Sequence, residues 1–258
     1  MRRPLLVANW KMNKDRDGAR AYARALLTAL EAAPPSETEV VVAPPFTLLE
    51  TLGTAFEGSR VGLAAQNVSA EVQGAHTGEI SAEMLSELGC QYCLVGHSER
   101  RANQGETSTQ VAEKAAALLE AGLRPIICVG ETGAEREAGR TAEIVGQQLE
   151  MSLPRISTPT ANHLVVAYEP VWAIGTGVTA TPEQAQEVQA LLRERLRTIL
   201  GESAEDVRLQ YGGSVGPHTI QALMNQPDID GALIGSAALD PETFEQMIAN
   251  THWENTSP

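Results

Sequence analysis

Short apolar runs, several rich in β-branched residues, recur along this chain roughly every 20 to 45 residues. Most are followed by a turn and then an amphipathic stretch of helical period. About eight runs stand out, at residues 5–8, 40–43, 61–65, 92–95, 125–129, 164–168, 207–210 and 231–234. Between them apolar residues repeat at helical spacing over 19–32, 47–56, 81–88, 111–121, 141–153, 182–200, 217–224 and 241–249. Two helix starts carry a capping side chain followed by proline at the first helical position, Thr181-Pro-Glu-Gln and Asp240-Pro-Glu-Thr.

Strict alternation of strand and helix predicts parallel strands, because each return to the sheet needs a crossover, and uninterrupted apolar strands predict burial on both faces. Eight such units favour an α/β fold of the (β/α)8 barrel type, eight parallel strands with surrounding helices in a single domain over residues 1–258. Periodicity alone leaves an open doubly wound sheet as the alternative.

The length of 258 residues suffices for one large hydrophobic core, and 43% hydrophobic with 20% charged residues is the balance of a globular protein. The formal charge of −14 repels nucleic acid and anionic lipid, so an anionic ligand needs local positive potential. The chain has only three lysines to supply it, Lys11, Lys14 and Lys114. No apolar run reaches the roughly 18 residues that cross a bilayer, and the start of the chain has too short an apolar core for export. A cytoplasmic location with no membrane partner is expected. Cys90 and Cys93 form a C-x-x-C, and Cys128 stands alone. Without a second pair at ligand spacing these three read as small buried hydrophobes, and no metal is expected.

In such a barrel, chemistry gathers at the C-terminal ends of the strands. Three ends carry reactive side chains: Asn9-Trp10-Lys11 after the first strand, Gly96-His97-Ser98-Glu99 after the fourth, and Tyr168-Glu169-Pro170 after the sixth. A lysine, a histidine and a carboxylate on one rim suit proton transfer beside a carbonyl on an anionic substrate. The segments after the last three strands, Ala173-Ile-Gly-Thr-Gly177, Tyr211-Gly-Gly-Ser214 and Ile234-Gly-Ser-Ala237, are glycine-bearing and able to offer backbone N–H groups to a phosphate. A two-carboxylate glycosidase pairing Glu131 with Glu169 is the rival enzyme class, and a phosphate-binding scaffold without activity is the rival outside enzymes.

The motifs Asn9-Trp-Lys-Met-Asn13, Gln66-Asn67, Gly78-Glu79-Ile80-Ser81, Gly96-His-Ser-Glu-Arg-Arg101, the eleven residues Ala167 to Gly177, and Tyr211-Gly-Gly-Ser-Val215 resemble the triosephosphate isomerase family in order and spacing. The resemblance runs over essentially the whole chain. It implies interconversion of dihydroxyacetone phosphate and D-glyceraldehyde 3-phosphate through an enediolate, in glycolysis and gluconeogenesis, without metal or organic cofactor, in a homodimer. Carried over by position, Glu169 is the base, His97 the proton shuttle, Lys11 the electrostatic anchor, Asn9 a donor beside it, and Glu99 a buried acidic residue of the site. The family is itself the standard example of a carboxylate base working beside a neutral imidazole.

The barrier to removing a carbon-bound proton falls most where fixed donors meet the oxyanion in a dry site. Pro170 to Gly177 provides a lid for this purpose, with Val171, Trp172, Ala173 and Ile174 as its apolar tip, Thr176 within it, and Gly175 and Gly177 as hinges. Gly175, Ser214, Gly235 and Ser236 are expected to hold the phosphate. Residues 66–79 form a long connection that, in the family, enters the neighbouring subunit, bringing Thr77 close to the other copy's Lys11. Three positions depart from the family pattern: Ser236 stands for a glycine, Ala238 for a serine, and His76 for an aromatic ring. A side chain at Ser236 stands where close backbone approach to phosphate is expected.

Overall fold

The computed structural model describes residues 2–33, 37–154, 158–174 and 179–251. The elements run in the order β1 Leu5–Asn9, α1 Arg16–Ala32, β2 Glu39–Ala43, α2 Leu49–Phe56, β3 Val61–Ala65 and α3 Ala82–Glu87. They continue with β4 Tyr92–Val95, α4 Ser98–Gln104, α5 Ser108–Glu120, β5 Arg124–Val129, α6 Gly133–Glu137 and α7 Thr141–Ser152. The last are β6 Val165–Tyr168, α8 Pro182–Leu200, β7 Arg208–Tyr211, α9 Ile220–Met224, β8 Gly231–Ile234 and α10 Pro241–Ala249. Neighbouring strands pair in parallel around a closed barrel, with β8 returning to β1 through Leu5↔Gly231 to Ala8↔Ile234. This closure excludes the open sheet.

Alternation along the strands sorts their side chains between two cores. Leu5, Val7, Val41, Ala43, Leu94, Ile126 and Val165 fill the barrel, while Leu6, Ala8, Val40, Val42, Val95, Ile127 and Val166 pack outward under the helices. Both sets are almost wholly buried, and each such leucine or valine contributes about 1.5–3 kcal/mol relative to exposure. The helices start where capping chemistry allows. Thr181 and Gln184 form a capping box with Pro182 at the first turn of α8, and Asp240 accepts from the Thr243 N–H at the start of α10. The strand β7 lies one residue later than the apolar run 207–210, and α9 starts at Ile220 instead of 217, because the Gly216 N–H bonds to Thr219 Oγ1 in a turn ahead of it.

The two ends of the barrel differ. At the N-terminal end Arg208 donates to Glu39 Oε2 at 2.7 Å and to the Tyr92 hydroxyl at 2.6 Å, and that hydroxyl donates to Glu39 Oε1 at 2.8 Å. This charged knot closes the floor. The C-terminal end stays open, which leaves the strand-end side chains around a single concave mouth. Cys90, Cys93 and Cys128 are all buried free thiols, in keeping with a packing role. No helix among the described residues is long and apolar enough to cross a membrane.

Candidate active site

The mouth holds a cavity of about 440 Å³. Asn9, Lys11, His97 and Glu169 line one side, Ser214, Gly235 and Ser236 the other, and Ile174 reaches its rim. Thus three groups far apart in the chain, an amine, an imidazole and a carboxyl, converge on one space beside the glycine-bearing loops of β7 and β8.

Lys11 takes a left-handed conformation, with φ of +52°, which is costly for a residue with a Cβ. Its backbone is held there from both sides. Asn9 Oδ1 accepts the Lys11 N–H at 3.0 Å, and Gln66 Nε2 donates both to Lys11 O at 2.9 Å and to Ala43 O at 2.8 Å. The side chain is thereby aimed across the mouth, where Nζ lies 2.6 Å from Glu99 Oε1. Glu99 departs from the expectation of a buried acid. Its side chain is 48% exposed in the single chain, in the first turn of α4 with Lys11 and His97 at its side.

His97 is the N-cap of α4 and follows Gly96, whose φ of +72° makes the turn. A Cβ at Gly96 would come within 2.7 Å of Val111 Cγ2, so glycine is required there for space as well as for backbone conformation. Arg101 braces the same turn, donating to Gly96 O at 2.8 Å and to Cys128 O at 3.1 Å. The Glu99 N–H points at His97 Nδ1 at 3.3 Å. Nδ1 is therefore an acceptor, and the neutral ring carries its proton on Nε2. Nε2 faces Glu169 Oε1 at 2.9 Å.

Glu169 is 2% exposed and takes a second bond from the Ser98 N–H to Oε2 at 2.9 Å. Glycines clear its path. A Cβ at Gly130 would run into the Glu169 backbone, and one at Gly212 would stand 2.9 Å from Glu169 Cγ. Burial disfavours the charged carboxylate, but His97, the Ser98 N–H and Lys11 outweigh it and hold the carboxyl pKa below the usual range. Burial likewise opposes charge on His97, and the Glu169 and Glu99 carboxylates override it and raise the ring's pKa. The two groups titrate as a pair.

The described part of the lid, Pro170 to Ile174, contains a 3-10 turn at Val171–Ala173. Gly175, Thr176 and Gly177 lie outside the described residues. Trp172 donates from Nε1 to Glu131 Oε1 at 3.1 Å, and the Arg136 guanidinium stacks over its ring at 4.5 Å. Glu131 is fully buried, takes further bonds from the Tyr168 hydroxyl at 3.1 Å and Arg136 at 3.2 Å, and does not line the cavity. Among the described residues Glu131 therefore does not face Glu169 across the mouth, which removes the basis of the glycosidase reading.

A profile of the triosephosphate isomerase family matches residues 4–251. The chain belongs to that family. Its relatives include the triosephosphate isomerases of Moorella thermoacetica and Paracidovorax citrulli, each 50% identical over 248 residues that cover 96% of this chain and 98% of the relative. That of Herpetosiphon aurantiacus is 47% identical over 249 residues, covering 96% and 99%. As a triosephosphate isomerase family member the protein interconverts dihydroxyacetone phosphate and D-glyceraldehyde 3-phosphate in glycolysis and gluconeogenesis.

The side of the mouth formed by the β7 and β8 loops is lined by Ser214 after β7 and by Gly235 with Ser236 after β8. A Cβ at Gly213 would meet the Tyr211 ring, and one at Gly235 would stand 3.5 Å from Lys11 Cε. Ser236 opens the turn Ser236–Leu239, is exposed, and lines the cavity. Four positioning residues were not picked out as such in the sequence: Gln66, Arg101, Gly212 and Glu131. Gln66, Arg101 and Gly212 stood inside quoted motifs, but Gln66 reaches the Ala43 carbonyl and Arg101 that of Cys128, both on other strands.

Proposed function

We propose that Glu169 is the base that moves the proton between the two carbons of the triose phosphate, with His97 and Lys11 acting on the oxygens. Glu169 takes the proton from C1 of dihydroxyacetone phosphate, and the bonding electrons pass to the C2 carbonyl oxygen, giving the enediolate. The His97 Nε2–H polarises that carbonyl and exchanges protons between O1 and O2. Lys11 Nζ and the Asn9 amide stabilise the negative oxygen. Glu169 then returns its proton to C2, which gives D-glyceraldehyde 3-phosphate. The support for these roles is the shared cavity and, above all, the 2.9 Å contact between His97 Nε2 and Glu169 Oε1.

The same contact bears on basicity. The groups that lower the Glu169 pKa are His97, the Ser98 N–H and Lys11, while burial raises it. A carboxylate that leaves His97 and Ser98 for the substrate keeps the burial and loses those partners, so its proton affinity rises as it reaches the carbon. Closure of the Pro170–Gly177 lid excludes water from the same space. Ser214, Gly235, Ser236 and Gly175 hold the phosphate, whose binding energy keeps the reacting carbons in place.

The proposal includes a homodimer, in which Thr77 of one copy approaches Lys11 of the other and covers the exposed Glu99. In support, Met12 beside Lys11 is 94% exposed, Val72 is 56% exposed, and His76 and Thr77 stand in solvent in the single chain. A cytoplasmic setting fits the three unpaired thiols. A coupled assay on D-glyceraldehyde 3-phosphate with sedimentation of wild type and Thr77→Arg tests this reading. Turnover by a wild-type dimer and its loss in a monomeric variant are expected. An active, well-folded monomer overturns the shared-site arrangement, and a wild type without turnover overturns the catalytic assignment.

A further inference from the structure

Behind the phosphate side of the mouth, Tyr22 of α1 is almost completely buried and donates its hydroxyl hydrogen to the carbonyl oxygen of Ala238 at 2.9 Å. Ala238 lies in the turn Ser236–Leu239, and its N–H closes that turn on Gly235 O at 2.9 Å. Its carbonyl is buried and needs a donor. The local donor that would continue the turn belongs to the residue three positions on, which is Pro241 and has no N–H. Tyr22 supplies it from 216 positions away in the chain.

The ring of Tyr22 has a second attachment. It packs edge-on against Trp10, with centroids 4.7 Å apart and planes at 76°, and Lys14 Nζ lies over both rings at 5.0 and 5.3 Å. Trp10 is fully buried and directly precedes Lys11. One side chain thus fixes both walls of the phosphate end: through Trp10 the strained turn that carries Lys11, and through Ala238 the turn that carries Gly235 and Ser236. The walls meet, since a Cβ at Gly235 would touch the Lys11 stem.

We propose that Tyr22 is a positioning residue for phosphate binding, which sets the Gly235–Ser236 turn against Lys11 through its hydrogen bond to Ala238. This rests on the reading that the phosphate is held at that turn. Removing the hydroxyl leaves the Ala238 carbonyl without its partner and lets the turn relax away from Lys11, which weakens the hold on phosphate without touching Glu169 or His97.

The test compares Tyr22→Phe with wild type and with Ser236→Glu, which places a carboxylate at the turn itself. Measured are KM and kcat for D-glyceraldehyde 3-phosphate, the inhibition constant of inorganic phosphate, kcat/KM for unphosphorylated D-glyceraldehyde, and Tm. For Tyr22→Phe, KM and the phosphate constant rise together by about fivefold, the worth of one hydrogen bond, with a smaller change in kcat. The preference for the phosphorylated over the unphosphorylated triose falls by a similar factor. A merely structural role would lower both trioses alike and leave that preference unchanged, and this result overturns the proposal. If Ser236→Glu abolishes phosphate inhibition while Tyr22→Phe binds phosphate as wild type does, Tyr22 has no positioning role although the phosphate site stands. If Ser236→Glu leaves phosphate inhibition intact, the site itself is misplaced and the proposal falls with it.

Discussion

His97 Nε2 and Glu169 Oε1 lie 2.9 Å apart, with the Ser98 N–H on the other carboxylate oxygen, so the carboxylate proposed as the base is bonded on both oxygens in the free protein. The arrangement holds both groups at the centre of the mouth and satisfies them there, at the cost of a lower proton affinity for the carboxylate. Substrate binding must trade those bonds for new ones.

Replacing His97 by glutamine is expected to reduce kcat by roughly 10²- to 10⁴-fold through loss of the proton shuttle. It also changes the titration of the base. His97 is the leading group that lowers the Glu169 pKa, so its removal moves that pKa upward, toward the value favoured by burial. Carbon-13 titration of labelled glutamate checks the direction, and a Glu169 pKa that falls or stays put contradicts it.

Gly212→Ala probes the space around the base. The added methyl stands 2.9 Å from Glu169 Cγ and 3.3 Å from Tyr168 O, and the Glu169 side chain has to shift. A fall in kcat of about ten- to a hundredfold is expected from such a displacement, with KM changed much less. Steady-state kinetics beside circular dichroism separates this from loss of fold.

The floor of the barrel gives a pH dependence of stability. Burial raises the Glu39 pKa, but the charge and hydrogen bonds of Arg208, the Tyr92 hydroxyl and Arg124 bring it below the ordinary 4.5. A lowered folded-state pKa contributes stability that is complete above the unfolded value and disappears as pH falls through the folded one. Glu39→Gln is therefore expected to melt roughly 5–10 °C below wild type at pH 7, and the gap is expected to close as pH drops below about 4. Parallel thermal melts across that range measure it.

Much of the fold was legible because the signals were local. All eight strands lie where apolar runs stand, and α8 and α10 begin at the prolines that follow Thr181 and Asp240. The helices α4 and α6 were not legible, since neither buries a residue and so neither shows an apolar period. That Lys11, His97 and Glu169 meet at one mouth could be read from their places at strand ends, but the groups that hold them could not. Gln66 acts on the carbonyls of Lys11 and Ala43, Arg101 on that of Cys128, and Glu131 on Trp172, pairings that only barrel closure and loop packing create. The exposure of Glu99 escaped the sequence for a related reason, because it depends on how the first turn of α4 sits against Lys11 and His97 across the mouth.

Glu169→Gln is the most direct measurement. Glutamine keeps the shape and still accepts the Ser98 N–H, but it has no lone-pair base strong enough to take a carbon-bound proton. We expect kcat on D-glyceraldehyde 3-phosphate to fall by at least about a thousandfold, with the dichroism spectrum and the inhibition constant of inorganic phosphate unchanged. A variant that turns over within about tenfold of wild type would contradict the assignment of Glu169 as the base.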